Sequence, residues 1–297
     1  MFNPFVLFLV FFFSAFLLLK LTKSRKYKLP PSPPRLPIIG NLHQLSSLPH
    51  HSLRLLSDKY GPLLLIHMGQ SRAVVVSSPE IVREIMKTHD TIFANRQKTV
   101  AADVLFYGGN EVVFSPHDEN WKEARKILVS ELLSQGRLQL LHDNRKKEVE
   151  LMIAKIRQSC VNQKVPVNIG EMMFSMFATV FCEFVFGGDY GGEEYGKQFT
   201  RLAQKISELV LAFSFKEFFP IMGWMDKFTG LDARLEETWK EIDDFLDRVI
   251  KEHERHMKSR AEQFEEKDCV DVLLHLKNGS LAGADLTMDN IKALILI

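Results

Sequence analysis

The first apolar block of the chain is also its most uniform. Residues 5–19 are hydrophobic throughout except for Ser14, and they carry no charge. With its flanks the run approaches the ~20 residues that a membrane-spanning helix needs. Nothing basic precedes it, while Lys20, Lys23, Arg25, Lys26 and Lys28 follow it. That order favours an uncleaved anchor over a signal peptide and leaves the body of the chain in the cytosol. Residues 1–21 are therefore expected to be a transmembrane anchor. Its shortness suits a thin bilayer such as the endoplasmic reticulum. Residues 22–41 then read as a basic stop and a proline-rich hinge. Pro30, Pro31, Pro33, Pro34 and Pro37 fix φ and remove amide donors, which gives a stiff extended spacer. An ordinary linker, a ligand for a proline-binding domain and a rigid hinge at the membrane all remain open.

Beyond the hinge the pattern turns mainly helical. A short helix is expected over 52–60, stopped by Gly61-Pro62. Two β-prone runs, 63–68 and 73–77, flank Gly69-Gln70-Ser71-Arg72 and predict a hairpin. Ser78-Pro79 opens a helix to about residue 88, with Ile81, Val82, Ile85 and Met86 on one face. Residues 100–113 have no clean period and contain Gly108-Gly109, so a loop with one short helix is expected. Ser115-Pro116 then starts a helix. Residues 136–158 predict a long helix whose apolar face holds Leu138, Leu141, Val149, Met152, Ile153 and Ile156. A brief extended piece at 165–167 leads to residues 169–186, apolar nearly all round. That run is long enough to span a membrane, but Glu171 and Glu183 favour a buried core helix. Amphipathic helices are expected over 193–213 and 231–256, joined by an apolar bend at 213–224. The second should carry Asp244 and Arg248 as an i,i+4 pair on a solvated face. A short helix at 271–277, a turn at 278–280 and a helix capped by Thr287 over 288–297 complete the chain.

Composition narrows the function. The 297 residues hold 38 basic and 37 acidic side chains, and 46% of them are hydrophobic. That neutral balance argues against a nucleic-acid binder. Cys160, Cys182 and Cys269 are odd in number and form no C-x-x-C pair. They argue against a disulfide framework and a Cys-rich zinc module, and for a reducing compartment. His117 has no second ligand at metal-binding spacing.

Candidate chemistry lies in two places. Trp121 and Arg125 are four apart and share a helix face. Both side chains only donate hydrogen bonds, so together they suit a carboxylate; equally, the Arg can stack on its own Trp. The stretch before them is apolar for a loop, with Leu105, Phe106, Val112 and Val113. Those residues either pack beneath the loop or line a small-molecule pocket.

The order of anchor, basic stop and P-P-S-P-P-R-L-P-I-I-G-N-L-H-Q-L resembles the start of a microsomal cytochrome P450 of the plant A-type group. The resemblance implies a mainly α fold with a small β-rich N-terminal lobe, here an incomplete cytochrome P450 fold behind an N-terminal transmembrane helix. Residues 42–297 would be a partial domain, somewhat over half of a family member. Trp121 and Arg125 match the family's W-x-x-x-R, and Arg96 its F-x-x-R; by resemblance all three bind haem propionates. Gln97 stands where the family commonly has Pro, and His117-Asp118 where it often has Tyr-Gly. The substrate-contacting segment maps onto Leu105, Phe106, Val112, Val113 and Phe114, with Phe213 from the apolar bend. In the family that bend dips into membrane lipid near a substrate entrance. The motifs that activate oxygen and the Cys that ligates haem iron would lie later than Ile297. No catalytic or metal-binding residue is therefore expected in this chain, and it is expected to be inactive alone and to retain haem poorly. The implied chemistry is insertion of one oxygen atom from O₂ into a small apolar metabolite, with electrons from NADPH–cytochrome P450 reductase. The alternative is a membrane-anchored helical binding protein without catalysis.

Overall fold

The computed structural model describes residues 29–163, 166–187, 193–259, 268–279 and 286–296. The expected anchor at 1–21, the basic stop at 22–28, Val165 and Ser280 lie outside the described residues. The chain divides into two compact units between Glu84 and Ile85.

In the first unit, β1 (Leu63–Met68) and β2 (Ser71–Val76) form an antiparallel pair, in register from Leu63 opposite Val76 to Met68 opposite Ser71. The turn is only Gly69-Gln70, so β2 begins two residues before the expected start. Gly69 supplies the positive φ that such a tight turn needs. Helix α1 (Pro49–Tyr60) starts earlier than expected, with Pro49 in its first turn, and Gly61 ends it at φ 106°. The prolines are docked and not a free spacer. The Leu65 N–H donates to the Pro31 carbonyl at 2.8 Å. Asn41, fully buried, donates its amide to the Pro33 and Pro34 carbonyls and accepts from the His67 N–H at 2.9 Å. This contact covers one edge of β1, which a lone hairpin would leave open. Ser78 caps α2 (Pro79–Arg83) by accepting from the Ile81 N–H, and a π turn at Glu84–Thr88 replaces the rest of the expected helix.

The second unit is helical: α3 (Asp90–Phe93), α4 (Val100–Leu105), α5 (Glu119–Ile127), α6 (Gln135–Gln158), α7 (Ile169–Phe186), α8 (Glu193–Val210), α9 (Phe215–Phe218), α10 (Met225–Phe228), α11 (Leu231–Ser259), α12 (Cys269–Asn278) and α13 (Met288–Ile295). Its core gathers on α11, where Leu235, Ile242, Leu246 and Val249 recur at helical spacing and are at most 1% exposed. They belong to one apolar cluster with Leu105 of α4, Phe186 of α7, Leu273 of α12 and Ile291 of α13. The Phe186 ring meets that of Phe245 edge-on at 5.5 Å.

Three expectations need correction. No described side chain of α6 is buried; Val149 and Ile153 of its expected apolar face stay 38% and 41% exposed. Leu141, Met152 and Ile156 of the same stripe are only half-buried, so the stripe exists but is incompletely covered. Helix α7 has the expected bounds and the length and apolarity of a membrane span, yet only Ala178, Cys182, Val185 and Phe186 are buried. Phe174 and Phe177, nearer its start, are 43% and 59% exposed. It is therefore a core helix in its C-terminal half only. Helix α8 stops at Val210 because the chain beyond it is taken up by Asp226. That carboxylate, 1% exposed, accepts from Ser214 Oγ at 2.8 Å and from the Phe215 and Lys216 amides at 2.7 and 3.0 Å.

Candidate functional site

The connection from α4 to α5 positions the candidate donors. After Leu105 the backbone passes through Tyr107 at φ 52°, Gly108 at 80° and Gly109 at 72°. Glycine takes this left-handed region freely; Tyr107 takes it at a cost. Glu111 follows, with 0% exposure. Its carboxylate accepts from the Val113 N–H and, at 2.5 Å, from the Phe114 N–H. Burial pushes its carboxyl above the usual range, against the pull of those two amides and of Arg96.

This turn leaves the two intervening carbonyls facing the donors. Val112 O accepts from Trp121 Nε1 at 2.9 Å, and Val113 O accepts from Arg96 Nε at 3.1 Å. Arg96 also donates to the Ala94 carbonyl at 3.3 Å. The Arg125 guanidinium stacks on the Trp121 indole, 5.2 Å from its centroid, and makes no hydrogen bond or ion pair among the described residues. Helix α5 begins at Glu119, not at Ser115-Pro116: Asp118 is the cap and accepts from the Trp121 N–H at 2.9 Å. His117 packs its ring against Trp121 at 4.8 Å, and its backbone N–H donates to Asn95 Oδ1.

Arg96 and Trp121 thus meet at one short loop while Arg125 lies on the Trp121 ring, with both guanidinium groups exposed. Two cations and an indole N–H, with open guanidinium donors, suit an anionic carboxylate ligand. The single Trp121 N–H is engaged by Val112, so a carboxylate reaching it has to displace that carbonyl.

The expected substrate contacts divide. Leu105 and Phe106 are 0% and 7% exposed inside the core. Val112 and Phe114 are half-buried against it, and the Phe114 ring lies 5.3 Å from that of Phe106. Val113 and Phe213 are both 47% exposed, and Phe213 stacks on Phe218 at 5.1 Å.

Two further clusters were not read from the sequence. On α13, Lys292 is 7% exposed and reaches Asp243 Oδ1 at 2.5 Å and Asp247 Oδ1 at 2.6 Å on α11. The Tyr107 hydroxyl donates to the same Asp243 oxygen at 2.8 Å. A lone Lys between Ile291 and Ala293 in an apolar helix was the available signal. The expected pair of Asp244 with Arg248 does not form; the neighbouring acids turn inward instead. The second cluster is His253, Asp268 and Asp271, with ligand atoms within 4.8 Å of one another. His253 Nδ1 faces the Val249 carbonyl at 2.8 Å and Nε2 faces Asp268 Oδ2 at 3.2 Å. Both ring nitrogens therefore meet acceptors, which suits a doubly protonated ring and not a metal ligand. Burial opposes that charge, but Asp268, Val249 and Asp271 outweigh it and raise the pKa to about 9.

Comparison with known proteins agrees with this architecture. The family model for cytochrome P450 matches residues 30–297. Phenylacetaldehyde oxime monooxygenase of Prunus mume is 39% identical over 95% of this chain and 55% of its own length. Cytochrome P450 71A1 of Persea americana is 45% identical over 86% of this chain and 51% of its own. The chain spans about half the length of these curated relatives. A zebrafish cytochrome P450 solved with progesterone superposes with a TM-score of 0.65 at 23% identity, covering 84% of this chain and 56% of that one.

Proposed function

Because this chain belongs to the cytochrome P450 family, in its plant A-type group, we propose that it carries the carboxylate-gripping side of a haem site in a membrane-bound monooxygenase. The observation that carries this reading is that Arg96 and Trp121 meet at the loop 111–114 with Arg125 stacked on Trp121. Arg96 and Arg125 would hold the haem carboxylates by charge-assisted bonds, and Trp121 would add its N–H on leaving Val112. When bound, haem supplies the oxygen chemistry by which one atom of O₂ enters a small apolar substrate, with electrons from NADPH–cytochrome P450 reductase.

We infer that none of the cysteines present would bind the haem iron. Cys182 and Cys269 sit in the apolar core, and burial pushes their thiols up to about 12, so they stay protonated at neutral pH. Cys160 is exposed on the π turn that follows α6. The chain by itself is therefore expected to lack turnover. Phe114 and Val112 supply part of the substrate wall in this reading, with Leu105 and Phe106 backing it from the core.

Contact with membrane lipid, at the endoplasmic reticulum, falls to the anchor at 1–21 and to the bend after α8. Leu211, Ile221 and Phe228 are 85%, 82% and 83% exposed there, beside Trp224 at 59%. The carbon-monoxide difference spectrum of the expressed chain tests the assignment. A spectrum without a thiolate-type Soret band is expected; such a band would overturn it.

A further inference from the structure

The Tyr107 backbone is strained, its ring is half-buried, and its hydroxyl is committed. A non-glycine residue at φ 52° is strained and persists only where its surroundings hold it. The holding contacts are explicit. Tyr107 Oη–H donates to Asp243 Oδ1 at 2.8 Å. Lys292 Nζ reaches that same oxygen and also lies 5.7 Å from the Tyr107 ring centroid. The other face of the network is Asp247, bonded to both Lys292 and Lys251. Two ammonium groups therefore balance two carboxylates, and the phenol stays neutral. Trp239 meets the Tyr107 ring edge-on at 6.3 Å.

The sequence position of this residue gives the network its reach. Tyr107 opens the turn that continues through Gly108 and Gly109 to Glu111. Asn110 Nδ2 closes that turn by donating to the Tyr107 carbonyl at 2.7 Å. Glu111 then folds the segment so that Val112 O and Val113 O meet Trp121 and Arg96. The loop is thus held at two ends, by the α11–α13 ion cluster at Tyr107 and by the donors at Val112 and Val113.

We propose that Tyr107 is a positioning residue: its hydroxyl bond to Asp243, clamped by Lys292, sets the loop against which Arg96 and Trp121 are aligned. The consequence for haem rests on the reading of those donors as a carboxylate clamp; the mechanical claim does not. Tyr107→Phe removes one hydroxyl and keeps the ring. Amide hydrogen exchange on the full chain, with no haem added, reads the effect. Exchange at the Val113 and Phe114 amides should quicken about tenfold, the scale of one hydrogen bond to a charged group, while the core amides of α11 keep their rates. Fluorine NMR of 5-fluorotryptophan protein should show the Trp121 resonance shifted and that of Trp224 unmoved; Trp239 touches the Tyr107 ring and is not diagnostic.

Unchanged exchange at Val113 and Phe114 would overturn the proposal. So would a uniform acceleration that includes α11, because that marks a structural role only. If Tyr107→Phe fails to fold, Asp243→Asn keeps an acceptor for the phenol but removes its charge. It should give a smaller local acceleration at the same two amides, and none would again overturn the proposal. Because no porphyrin enters this experiment, its failure leaves the carboxylate clamp standing.

Discussion

Trp121 and Arg125 could be paired from spacing alone, since residues four apart on a helix are neighbours. Glu111 could not. A single acid in an apolar run gives no local sign that it will be buried and will bind the amides two and three residues on. Lys292 gave a sign, but its partners Asp243 and Asp247 lie far away in sequence and resemble any exposed helix charges. His253 was equally silent, because its partner Asp268 caps another helix. Its raised pKa has a consequence for stability. The folded value of about 9 lies above the ordinary 6.5, so protonation stabilises the fold fully below pH 6.5 and that contribution fades as the pH rises through 9. The thermal midpoint should fall between pH 7 and pH 10 in the wild type, with a clearly flatter profile in His253→Gln, as a series of melts will show. Gly40 is legible once the fold is known. Its φ is 66°, and an added Cβ would lie 2.3 Å from the His67 carbonyl oxygen. Gly40→Ala should cost about 1–3 kcal/mol in the first unit, read as earlier proteolysis of the hairpin under urea.

Element bounds were clearest where punctuation and periodicity agreed. Helix α7 matches its expected range because Asn168 caps it and Gly187 ends it. The hairpin, α13 and most of α11 were legible for the same reason. Burial was harder, because it depends on what each face meets. Helices α6 and α7 are both rich in apolar residues, yet only the C-terminal half of α7 is covered. The start of α5 was misplaced because Ser115-Pro116 and Asp118 both look like caps, and only Asp118 binds the orphan amide of Trp121. The asymmetry of α7 predicts two unlike outcomes on one helix. Phe186→Ala, at a 1% exposed core position, should lower unfolding stability by about 3–5 kcal/mol. Phe177→Ser, at a 59% exposed position, should change it by about 0.5 kcal/mol or less. Chemical denaturation of the two variants side by side checks the pair.

At the scale of the molecule, individual helices and the hairpin were legible from periodicity and turn residues, whereas the fold class with its small β lobe came from the family resemblance. The convergence of Arg96 with α5 was not legible, since α4 and a long irregular loop lie between Arg96 and α5 and no local rule returns them to one loop. The account depends on those donors gripping a pair of carboxylates, which can be tested without iron or its ligand. Quenching of tryptophan fluorescence is to be titrated with protoporphyrin IX and, separately, with its dimethyl ester, whose carboxylates are masked. The diacid is predicted to bind at least about tenfold more tightly than the diester, a difference of about 1.4 kcal/mol, and Arg96→Ala/Arg125→Ala should erase that preference. Equal affinity of the wild-type chain for diacid and diester would contradict the account.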